Sequence, residues 1–142
     1  MTAEEEGVLR HVLAMYPVVP AGYHPMTREG DEAEFAEDRE MLRELADDHT
    51  ASNAQRLHRF FYEGPIHREE ERVTIELTNE DAHWMLELLN DVRVGNWIQL
   101  GSPDEKEELV EELDGDSAHR FWAMEMAGLF QSLLLNALMD GE

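Results

Sequence analysis

The sequence predicts a mainly α-helical fold: a bundle of five or six helices with one short strand or β-hairpin, built as a single domain over residues 1–142. Three observations predict it. Apolar residues recur at three- and four-residue spacing in most segments, as they do on one face of a helix. Strict polar–apolar alternation stands out in one stretch, Arg72-Val73-Thr74-Ile75-Glu76-Leu77, which has the period of a strand. A chain of 142 residues, 42% hydrophobic and 31% charged, suits one domain with a core that needs no cross-links.

The first helix is expected to start at Thr2, whose hydroxyl can cap backbone N–H groups while Glu5 completes a capping box. Val8, Leu9, Val12, Leu13 and Tyr16 form its apolar face, and Pro17 stops it. Residues 17–30 carry Pro17, Pro20, Pro25, Gly22 and Gly30 and read as a loop. A second helix is expected over Asp31–Asp48, a thin outer element with nine acids and two arginines in 18 positions. Ser52 is read as the cap of a third, with Leu57, Phe60 and Phe61 inward and Gly64-Pro65 at its end. After the strand, Thr78 caps a helix that runs to about Leu100, with Gly101 as its stop. Ser102-Pro103-Asp104-Glu105 opens a short acidic helix ended by Gly115. The last helix, Ser117–Met139, is about 35 Å long at 1.5 Å per residue. It is apolar around most of its circumference, which suits a bundle centre or a subunit contact.

With 33 acidic and 11 basic residues, the net charge is −22. That balance argues against binding nucleic acid, which needs a basic face, and against docking on an anionic membrane. No basic leader precedes Glu4-Glu5-Glu6, and no apolar run is long enough to span a bilayer, so a cytoplasmic protein is expected. The absence of cysteine excludes disulfides, thiolate catalysis and cysteine-based metal centres. Residues 104–116 hold eight acids and one lysine, whereas residues 117–142 hold only Arg120 against Glu125, Asp140 and Glu142. The acidity suits a solvated surface, salt adaptation (Lys106 is the one lysine) or recognition of a basic protein partner.

Leu88-Leu89-Asn90-Asp91-Val92-Arg93 is the most informative segment. On a helical wheel Ala82, Met85, Leu89, Val92, Trp97 and Leu100 share an arc that Asn90 and Arg93 border or enter. A guanidinium there needs a carboxylate, carbonyls or a bound anion, and Glu125 in the last helix is the candidate partner. Asn90, Arg93 and Glu125 are therefore expected to form a polar core network, or alternatively an anion-accepting pocket. Glu80-x-x-His83 and Asp116-x-x-His119 echo the ligand spacing of dinuclear carboxylate bundles. Both pairs sit in the first turn of a helix, where an acid is expected for capping alone. They are weak metal candidates, and no resident metal or other cofactor is expected. Hydrolase, phosphate-loop and dinucleotide signatures are absent, and no catalytic residue can be singled out.

Val73 to Leu77, Thr78-Asn79-Glu80-Asp81-Ala82 and Leu89-Asn90-Asp91-Val92-Arg93 together resemble an uncharacterised, mainly actinobacterial family. In that family a short strand leads into a helix with a Leu-Asn-Asp-x-Arg segment. Phe121-Trp122 and Leu133-Leu134-Leu135 resemble its last helix, and Pro20-Ala21-Gly22-Tyr23 its upstream Pro-x-x-Tyr element. Members are often encoded beside the Clp protease adaptor, which implies a link to regulated proteolysis; the family supplies no catalytic residues. The helix after Glu34 departs from it in being acidic where members tend to be basic.

The expectation is a non-enzymatic, acidic protein-interaction domain, regulatory in character, with the weight against an enzyme. The alternative is a small-molecule or anion-binding domain centred on Arg93, and the third reading a metal-binding helical bundle. A homodimer through residues 117–139 is expected, because that segment is apolar and charge-poor. The strand either folds back as a hairpin on Pro65-Ile66-His67 or pairs with its twin across a two-fold axis.

Overall fold

The computed structural model describes residues 1–18, 36–64, 66–102 and 114–140. Among these the chain forms four helices and one antiparallel hairpin: α1 (Ala3–Leu13), α2 (Ala36–Glu63), β1 (Ile66–Glu69), β2 (Arg72–Ile75), α3 (Asn79–Gln99) and α4 (Gly115–Asp140). Among the described residues the architecture is mainly helical, with four helices where the sequence predicts five or six over the whole chain. No helix among the described residues is long and apolar enough to cross a membrane.

One expected helix break does not occur: α2 runs unbroken through Ser52. Between Asp48 and Asn53 there is no Gly or Pro, and a Ser or Asn caps a helix only where the chain enters it from extended backbone. Instead Asn53 reaches outward, donating from Nδ2 to the Tyr16 hydroxyl (3.1 Å) and accepting from Trp84 Nε1 (3.2 Å). Gly115, expected to close the acidic helix, is the first residue of α4. The Asp114 carboxylate accepts the Ser117 N–H at 2.8 Å and so serves as the cap. The expected start at Asp31, most of the 17–30 loop and the body of the 102–115 helix lie outside the described residues.

Other local expectations agree with the structure. Thr2 caps α1: the Glu5 N–H donates to its Oγ1 (3.1 Å), and the Thr2 N–H donates to Glu5 Oε1 (2.9 Å). Thr78 caps α3 by accepting the Asp81 N–H at 3.0 Å. At the other end, the Gly101 N–H donates to Ile98 O and the Ser102 N–H to Trp97 O, both at 3.0 Å. With Gly101 at φ 92°, this is a Schellman motif, and glycine takes the left-handed position at no steric cost.

Of the two accounts of the strand, the hairpin is the one formed. Ile66 pairs with Ile75, His67 with Thr74, Arg68 with Val73 and Glu69 with Arg72. The tip is Glu70-Glu71, and neither residue has positive φ, so the turn does without the Gly or Asn of the favoured tight hairpins. The outer edge of β2 is covered too. Met1 donates its amine to Val73 O (3.0 Å), the Val73 N–H donates to Met1 O (2.8 Å), and the Ala3 N–H donates to Glu71 O (2.9 Å).

The core lies where α3 packs along α4, with α1 laid over both and the end of α2 against α3. Leu88, Leu89 and Val92 of α3 and Val12 and Leu13 of α1 are at most 1% exposed. α3 is thus the central helix. α4 buries mainly small residues, Ala123 and Ala127, with Met124 and Phe130. Small side chains bring its backbone close to α3, while Leu129, Leu133 and Leu135 are exposed. Glu6 of α1 joins the hairpin to the helices: it is 4% exposed and accepts from Arg10 and from Arg68 Nη2, the latter at 2.9 Å.

Candidate functional site

Asn90 and Arg93 do come together, with Arg93 Nη2 donating to Asn90 Oδ1 at 2.9 Å. Both are exposed, however, and Glu125 is half-buried on α4. The expectation of a core guanidinium is corrected: Arg93 lies at the rim. Its stem passes α4 at Gly128, where an added Cβ would stand 3.7 Å from Arg93 Cδ. A long stem that packs while its head stays in water explains why a wheel position beside the apolar arc does not imply a buried charge.

The buried polar link between α3 and α4 lies nearly one turn further on. Asn96 is 0% exposed, donates from Nδ2 to Val92 O (2.9 Å) and accepts from Arg120 Nη1 of α4 (3.3 Å). Arg120 also faces Asp116, with Nε 3.6 Å from Oδ2. Asn96 sits mid-arc on the same wheel that drew attention to Arg93, so a neutral amide among apolar residues was the signal to follow.

Glu80 and His83 lie exposed at the start of α3, and Asp116 and His119 are exposed at the start of α4. These four are not gathered: among the described residues no group of three or more His, Asp or Glu stands close enough to hold a metal ion. His119 instead meets a residue from the far end of the sequence. Its Nε2 lies 3.0 Å from Nε2 of His11 on α1, and the indole of Trp122 stacks beside it.

A feature able to take a ligand or partner is an apolar cleft of about 400 Å³ between β2, α3 and the second half of α4. Val73, Ile75 and Leu77 form one wall, Met85 and Leu89 the floor, and Phe130, Leu133, Leu134 and Ala137 the other wall. Arg72 is the one charged side chain in its lining. The wall continues outward onto α4, where Leu129 and Leu133 are each 50% exposed, with Leu135 at 48% and Met139 at 72% on the opposite flank. No family model, curated protein or solved structure matches this chain. The site is therefore read from its own chemistry. An apolar cleft flanked by exposed leucines can bury hydrocarbon.

Proposed function

We propose that the chain is a non-enzymatic interaction domain that works in the cytoplasm and associates through the second half of α4 and the adjoining cleft. The observation that carries the reading is the exposed leucine surface of α4. Between Arg120 and Asp140 the only charged residue is Glu125, while Leu129, Leu133, Leu135 and Met139 face outward. Leu129 and Leu133, exposed beside the apolar cleft, extend it into surface of the kind that marks a contact rather than a solvated face.

The occupant is a second copy of the chain. Two molecules of charge −22 repel wherever their acidic surfaces meet, so self-association needs an apolar, charge-poor patch, and this segment supplies one. A two-fold contact would set Leu129 and Leu133 of each copy against the cleft wall of the other, a self-complementary arrangement. The acidic remainder is left to solvent or to a basic protein partner. The resemblance to proteins encoded beside the Clp adaptor suggests regulated proteolysis as the setting, on the strength of its short motifs.

Light scattering at physiological salt tests this. The expected mass is about 33 kDa, twice the 16.4 kDa of one chain. Leu133→Glu, a change at a half-exposed position, is expected to return the monomer mass with an unchanged helical circular dichroism signal. A wild-type monomer at micromolar concentration would overturn the dimer.

A further inference from the structure

We propose that His11 and His119 form an exchangeable two-histidine seat for Cu(II), bridging α1 and α4. The two Nε2 atoms are 3.0 Å apart and both side chains are exposed, so an ion can reach them from solvent. Two imidazole nitrogens this close on neighbouring helices need only side-chain rotation to share one ion, and Cu(II) heads the affinity order for imidazole sites. Water completes the coordination, because no third His, Asp or Glu joins the pair among the described residues.

Without metal the rings hydrogen-bond each other. Their centroids are 5.3 Å apart, so the nitrogens face almost in line and one Nε2–H donates to the other Nε2. To take an ion, the donor ring moves its hydrogen to Nδ1, and both exposed rings turn about χ2 until their lone pairs converge. The chain's charge of −22 raises the local concentration of any cation. Trp122 stacks on His119 at 5.8 Å and 14° and meets His11 edge-on at 5.6 Å, which puts a fluorescent reporter against both ligands. The seat lies about 21 Å along α4 from Leu133 at 1.5 Å per residue, so its test does not depend on the interaction surface.

The experiment is titration of the full chain with Cu(II) alone at neutral pH, followed by tryptophan emission and electron paramagnetic resonance. One tight equivalent is expected, with a spectrum showing two nitrogen ligands and partial quenching that Trp122→Phe removes. His11→Ala and His119→Ala should each weaken binding by at least about tenfold, since even outer-shell changes cost metal sites 10–100-fold. His83→Ala, an exposed histidine on α3, should leave the tight equivalent intact. Copper affinity equal to wild type in either His11→Ala or His119→Ala would overturn the proposal, as would a spectrum with a single nitrogen or a site lost with His83.

Discussion

Asn96 and Arg93, three residues apart on α3, should respond very differently to truncation. Asn96→Ala removes a fully buried amide and leaves the Arg120 guanidinium without its α3 acceptor, a loss of about 1–3 kcal/mol for a buried polar partner. Arg93→Ala removes an exposed side chain and should fall within about 0.5 kcal/mol of wild type. Urea denaturation of the two variants side by side checks both, and a larger loss for Arg93 would restore it to the core. The sequence pointed to a buried guanidinium at Arg93, which is exposed, and not to Asn96, which is buried. A charge near an apolar arc attracts notice, yet a flexible stem lets it leave, whereas the short amide of Asn96 has no such escape. Glu6 offers a pH-dependent counterpart. Burial works to raise its pKa, but the hydrogen bonds from Arg68 and Arg10 outweigh this and hold the carboxyl below its usual 4.5. The folded state then binds the proton less readily than the unfolded chain. The stabilisation is complete above pH 4.5 and is lost as pH falls below it through the depressed value. Thermal melts across the acidic range should therefore show a shallower decline in Glu6→Gln than in wild type.

Among the elements, α3 was the most legible, because both of its ends are written locally, in the Thr78 hydroxyl and in Gly101. The continuity of α2 was hidden because Ser52 carries a start signal that is not used when the preceding residues are already helical. The partner of β2 was half legible: the fold-back of Pro65-Ile66-His67 was one of two expected pairings, but Ile66-His67-Arg68-Glu69 has no convincing alternation, and the choice is made by the short reach of the Glu70-Glu71 tip. One packing constraint on α3 was invisible in sequence. Gly95 is buried against the segment after α1, and a Cβ placed there would stand 2.7 Å from Val18 Cβ. Gly95→Ala should consequently destabilise by about 1–3 kcal/mol, as overpacking does. A neutral denaturation midpoint would mean that the segment carrying Val18 moves aside without cost.

Along the whole chain, charged and apolar residues are segregated, and that division was legible from composition. The cleft was not, since its walls come from β2, α3 and α4 and exist only once these pack. A net charge of −22 implies that self-repulsion opposes the compact state. Raising sodium chloride from roughly 10 mM to 0.5 M shortens the Debye length from about 30 Å to a few Å. The melting temperature should rise over that range. A fall would show that ion pairs such as Arg56–Asp81, at 2.9 Å, outweigh the repulsion.

The way α1 is held has a kinetic consequence. Its contacts reach far along the chain: 62 residues from Glu6 to Arg68, 72 from Met1 to Val73 and 108 from His11 to His119. Closing such long loops is entropically slow compared with forming the contacts within each helix or across the hairpin tip. Docking of α1 is then a late event in folding, and its release an early event in local opening. Amide protons of α1 should exchange with deuterium through openings of lower free energy than those of α3. Each such opening bares the outer edge of β2 and the Leu9 side of the cleft together. Aggregation in concentrated samples should accordingly track the detachment of one short helix rather than global unfolding.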